Sequence, residues 1–255
     1  LAGVEAERIV SGNESYVEVV ANASASALTG DVVLTSDTGS TVISTNGFTY
    51  VTRQSISSVS PATGQVNTYV TISGTSLLGG ASSVASVQLA NVTATRVVSA
   101  TDSEIVVVAG QSAASSVGDV VVVTTTGSHV ESLASFQYVT EGSVSSVAPS
   151  SGQIGTVVTI SGTGLRGNSS GVVSVSLGGQ PATVVSETDS VVVVVAQQRA
   201  AGMMLNVVLT GSTNATVTGA GLFTYLVEGN VTSVTPSTGQ IGTVVTIAGT
   251  NLLGS

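Results

Sequence analysis

Along most of this chain apolar and polar residues alternate with a period of two, in short runs that stop at Gly, Pro, Asn or Asp. That period marks a half-buried β-strand, because successive side chains point to opposite faces of a sheet. In the middle of the chain the pattern predicts strands over 56–60, 69–73, 84–89, 94–99, 104–109, 119–125 and 130–138. Turn signals separate them: Gly79-Gly80, Asn91 to Thr93, Thr101-Asp102-Ser103, the loop 110–118 and Gly127-Ser128. No stretch carries helical periodicity. Seven short strands within 88 residues predict an all-β fold, an immunoglobulin-like β-sandwich.

The same pattern then repeats. Pro149-Ser-Ser-Gly152-Gln-Ile-Gly155-Thr-Val-Val-Thr-Ile160-Ser-Gly162 has one counterpart 88 residues upstream, opening at Pro61, and another 87 residues downstream, opening at Pro236. Proline fixes φ and lacks a donor, so it closes an edge, and the glycine three residues on suits a tight turn. Ile72, Ile160 and Ile247 fall at one register position, which predicts equivalent buried strand residues. Phe48-Thr-Tyr50, Phe136-Gln-Tyr138 and Phe223-Thr-Tyr225 close successive copies, and both rings of each pair are expected to face inward. Leu1, Leu89 and Leu177 are expected to end the same strand. The period divides the chain into four parts: residues 1–52, holding the later strands of a unit; complete units at 53–140 and 141–227; and residues 228–255, holding opening strands.

The recurring Ser-x-Val-x-Pro-x-x-Gly-Gln, followed by Val-Thr-Ile-x-Gly-Thr and a late Phe-x-Tyr, resembles the IPT/TIG family of immunoglobulin-like domains. The resemblance implies tandem sandwiches of the E-set type. It also implies the settings of that family: extracellular arrays in receptors and microbial surface proteins, appendages of carbohydrate-active enzymes, and certain transcription factors. Fold follows strongly from such a resemblance and function weakly.

Composition narrows the choice. Only 3% of residues are aromatic, so the core must be Val, Ile, Leu and Ala, and the β-branched share fits sheets. Five Arg, no Lys and 14 acids give a net charge of −9, which repels phosphate backbones and argues against nucleic acid as a partner. The longest purely apolar run, 191–196, is too short to span a bilayer, so membrane insertion is not expected. Without Cys there is no disulfide, thiolate nucleophile or Cys-ligated metal.

Candidate chemistry is sparse, and no enzyme, metal or cofactor is expected. His129 is the only imidazole, and Thr41 and Thr216 replace it in the other copies. Its neighbour Ser128 would point to the opposite face of a strand, which disfavours a nucleophile–base pair. Glu14, Asp102 and Asp189 recur in register, each followed by Ser; one carboxylate per copy suits turn chemistry better than calcium, which takes six to eight oxygens. Arg8, Arg53, Arg96, Arg166 and Arg199 stand singly among acids. Tyr16 and Tyr69 are the aromatics outside the repeated pairs and could form a sugar platform. Six of ten Asn lie in glycosylation sequons, namely Asn13, Asn22, Asn91, Asn168, Asn214 and Asn230. Asn22, Asn91, Asn168 and Asn214 are expected on loops where covalent N-glycans leave the core undisturbed.

These features predict an extracellular or cell-surface protein. The leading expectation is a structural subunit of a rod or filament. Joints only a few residues long, such as 139–143, would make it stiff. Copies would associate head to tail, residues 228–255 of one completing residues 1–52 of the next by strand addition. In that union the third-strand positions 81–88 have no counterpart. The alternative is an array for adhesion or for binding a carbohydrate ligand.

Overall fold

The computed structural model describes residues 1–115 and 117–253, and every regular element among them is a strand. No helix among the described residues is long and apolar enough to cross a membrane.

In residues 53–140 two sheets face each other. One holds 96–100, 104–108, 69–75 and 55–60 in that order. The other holds 63–64, 129–138, 118–124, 84–89 and 92–93. All pairings are antiparallel but one: Thr63–Gly64 lies parallel to Gln137–Tyr138. Alternation sets what the sheets bury, since Val70 and Ile72 are fully buried between half-buried neighbours. Leu89, Ile105, Val122, Phe136 and Tyr138 complete this core. Burying each such side chain contributes about 1.5–3 kcal/mol.

Residues 141–227 repeat the plan, with Val158 and Ile160 in the places of Val70 and Ile72. One difference is real. The expected strand 94–99 of the first unit is seen as two pieces, Val92–Thr93 and Arg96–Ala100, on different sheets. In the second unit Gln180–Glu187 runs unbroken, pairing with Leu177 at one end and Val192 at the other, and so joins both sheets into one eight-stranded sheet.

The remaining segments form three two-stranded sheets: 8–12 with 17–20, 28–35 with 41–50, and 230–235 with 246–250. The first two correspond in register to 96–108 and 118–138, and the third to 143–163. Here three expectations need correction. Ile247 holds the register of Ile160 but is 56% exposed, because no second sheet packs on its face. Phe48 and Tyr50 are half-buried rather than buried, for the same reason. Leu1 lies outside any strand, although Ala2 N–H donates to Asp31 O as Ala90 N–H does to Asp119 O. Each aromatic pair is edge-to-face, with ring centroids 5.0, 5.2 and 5.1 Å apart.

Each box opens on a cis peptide bond, at Ser60–Pro61, Ala148–Pro149 and Thr235–Pro236. Each then closes a reciprocal turn. Gln65 N–H donates to Thr68 Oγ1 (3.0 Å) and Thr68 N–H to Gln65 O (3.2 Å). Gln153 with Thr156, and Gln240 with Thr243, do the same.

Candidate functional site

That turn positions the Gln65 side chain at the end of the first unit, where the second unit meets it. Only 1% of Gln65 is exposed. Its Oε1 accepts from Gly142 N–H (3.0 Å), at the start of the second unit. Its Nε2 donates to Thr216 O (2.9 Å), where the second unit's long hairpin turns. One amide thus grips two separated points of the neighbouring unit. Around it, Asn67 Nδ2 donates to Thr216 Oγ1 (2.9 Å), Tyr69 N–H to Thr213 O (2.8 Å), and Asn168 Nδ2 to Thr63 Oγ1 (2.8 Å).

Small residues let the two backbones approach. A Cβ on Gly142 would lie 2.1 Å from Gly164 O, so no other residue fits there without moving the joint. Each hydrogen bond is worth roughly 0.5–1.5 kcal/mol net, but stranding one partner of a buried pair costs about 1–3 kcal/mol. Opening the joint strands several at once, which favours one relative placement of the units.

Part of this joint recurs at the next boundary. Gln153 Oε1 accepts from Gly229 N–H at 2.8 Å. Gln111 Nε2 donates to Glu141 Oε1 (2.6 Å), and its counterpart Gln198 Nε2 to Glu228 Oε2 (3.3 Å). Beside the second boundary lies a shallow cleft of about 390 Å³ lined by Gln198, Arg199, Ala200, Ala201, Val227 and Glu228. Arg199 stacks over the buried Tyr225, its guanidinium carbon 5.8 Å from the ring centroid.

The remaining candidates do not converge. His129 starts an exposed strand end. Asp102 and Asp189 do turn work, their Oδ1 atoms accepting from Leu78 and Arg166 N–H at 3.1 Å, while Glu14 is exposed. Among the described residues no three His or acidic side chains are grouped as metal ligands. Arg166 pairs with Glu187 at 2.8 Å, which holds that carboxyl below its usual range. Arg8 and Arg53 are exposed, and Arg96 Nη2 donates to the Tyr69 hydroxyl (2.6 Å). Tyr69 is therefore engaged at the joint rather than free as a platform, whereas Tyr16 is 52% exposed.

All six sequon asparagines, Asn13, Asn22, Asn91, Asn168, Asn214 and Asn230, are exposed. Two of them do not sit on open loops as expected. Asn168 uses its side-chain nitrogen in the joint, and Asn214 occupies the hairpin turn that touches Tyr69. The signal for the joint lay in the sequence: Gln recurs in all three boxes, and Gly142 and Gly229 recur one turn before the next unit's first strand.

Two tandem all-β sandwiches of immunoglobulin type, each opened by a Pro-x-x-Gly-Gln turn and joined through it, define the class. The IPT/TIG domain family model matches residues 55–138 and 143–225, and the chain belongs to that family. No curated protein matches the chain in sequence. Among solved structures, the extracellular region of plexin A4 is similar at 22% identity over 73% of this chain and 17% of that one, with a TM-score of 0.49. SGBP-B from a xyloglucan utilization locus of Bacteroides uniformis is similar at 21% identity over 68% of this chain and 49% of that one, with a TM-score of 0.28. A surface glycan-binding protein of Prevotella bryantii is similar at 14% identity over 69% and 43%, with a TM-score of 0.29. The chain thus spans less than half the length of each, and these likenesses assign no function.

Proposed function

We propose that this chain is a structural spacer in an extracellular or cell-surface array, its units held at a set angle by the glutamine joint. The observation that carries this reading is the buried Gln65 amide, which bonds to Gly142 and Thr216 at once. A flexible string of domains has no use for such a contact, whereas a spacer that must keep its direction does. Exposed sequons fit an outward-facing, N-glycosylated surface. Spin labels at the exposed Leu133→Cys and Val173→Cys in the full chain test the joint. A narrow distance distribution is expected, broadening in Gln65→Ala. An equally broad distribution in both proteins would sink the reading.

A second reading, adhesion or carbohydrate binding at the cell surface, is supported by the cleft at the second boundary, where Gln198, Arg199 and Glu228 gather polar groups suited to hydroxyls. Specific signals on a glycan array, lost about tenfold or more in Arg199→Ala but not in Gln65→Ala, would favour it. Silence across the array would remove it.

A further inference from the structure

We infer that copies of this chain join head to tail, residues 1–52 of one copy seating on residues 228–255 of another and rebuilding the sandwich and its joint. This rests on the joint reading above and adds a partner to it.

The first observation is a pair of uncovered apolar faces that match. In the second unit, Ile160 and Val147 on one sheet are buried against Leu209 and Val217 on the other. Their register counterparts are Ile247 and Val234, 56% and 45% exposed, and Leu34 and Val42, 41% and 69% exposed. Each face carries the residues that cover the other in the complete units. Apolar area of this kind drives association, and the sequence of each face selects the other.

The second observation is independent and polar. Gln153 repeats the Gln65 contact with only half its bonds: Oε1 accepts from Gly229, but Nε2 has no protein acceptor among the described residues. For Gln65 that acceptor is Thr216 O. The counterpart of Thr216 is Thr41, on a hairpin of the same design whose turn is closed by Ser36 N–H to Ser40 O as Gly211 N–H closes on Ala215 O. Beside Gln153, Ile154 and Val157 are 48% and 57% exposed, whereas Val66 and Tyr69 beside Gln65 are half-covered by the next unit. Seating the 28–50 hairpin of a second copy on residues 230–250 brings Thr41 to Gln153 and covers Ile154. The apolar faces and the unused amide thus ask for one and the same partner. The place of strand 84–89, along Val32–Thr35, is filled by neither segment, so the rebuilt unit keeps an open edge there.

The contact is heterologous, so it propagates instead of closing. Cysteine chemistry reads it cleanly, because the chain has none of its own. Full-length Gly155→Cys protein is mixed with mass-tagged full-length Thr41→Cys protein at concentrations on the order of a millimolar, where even a Kd of ~1 mM half-populates the complex, and a short bis-maleimide is added. The expected result is a heterodimer at about tenfold the yield given by Thr41→Cys with the outer-face control Thr218→Cys, lost when Ile247→Asp is added to the Gly155→Cys partner. Asn67→Cys with Thr216→Cys within one chain is the internal standard, since those side chains already touch. If the standard cross-links and the mixture does not, the head-to-tail inference is wrong and the joint stands. If the standard fails too, the joint itself is wrong. A heterodimer indifferent to Ile247→Asp would overturn the proposed seating.

Discussion

Ile160 and Ile247 have the same sequence surroundings and opposite environments. The first is fully buried between two sheets; the second is more than half exposed on a lone pair of strands. Truncation to Ala should therefore separate them. Ile160→Ala should lower the unfolding free energy by about 2–5 kcal/mol, the range for emptying a core site that cannot fully collapse. Ile247→Ala should change it by under about 1 kcal/mol in the dissociated chain. Chemical denaturation of the two variants decides the matter, and equal effects would mean that the register argument had misplaced the core. The alternation of Val, Thr and Ile made Ile160 readable in advance, because burial there depends on the strand's own period. Gln65 was not readable in that way. A polar side chain beside a proline turn reads as solvated, and only a neighbouring unit, far along the chain, turns it into a buried contact.

At the level of elements, the seven expected strands of the middle unit stand within a residue or two of their expected bounds, with the Gly and Asn turns between them. Asn91, Asn168 and Asn214 occupy left-handed backbone at turns, which their short amide side chains tolerate. What the pattern did not disclose is continuity. Arg96–Ala100 and Val92–Thr93 are separate strands, whereas Gln180–Glu187 is one, although both segments carry similar alternation. Whether a strand passes from one sheet to the other depends on how the sheets close at that edge, which local alternation does not encode. The same limit applies to the hairpin turn at 211–216: its residues announce a turn, but not that Thr213 and Thr216 will meet the preceding unit.

For the molecule as a whole, the repeat period gave the number of units and the family gave their architecture, while the geometry between units came only from the structure. One feature inside each unit bears on the spacer role. The chain enters the first unit near Ser55 and leaves it after Tyr138, and just inside those points Thr63–Gly64 runs parallel to Gln137–Tyr138. The patch is held by Gln137 N–H to Ala62 O and Val139 N–H to Gly64 O, both 2.9 Å, and the second unit has the same pair at Ser150 and Gly152. Tension along the chain pulls these two strands in opposite senses along their own length. Parallel neighbours loaded that way must break their hydrogen bonds together, in shear, whereas a hairpin pulled open at one end gives them up singly. We therefore expect single-molecule pulling to show two separate rupture events, one per unit, and Gly152→Pro, which removes a ladder position from the second patch, to lower the force of one event only. A smooth extension without such events would mean that the patch does not bear the tension. On this view the short parallel strand, the smallest element in each sandwich, is the latch that lets a chain with no disulfide hold its shape while being stretched.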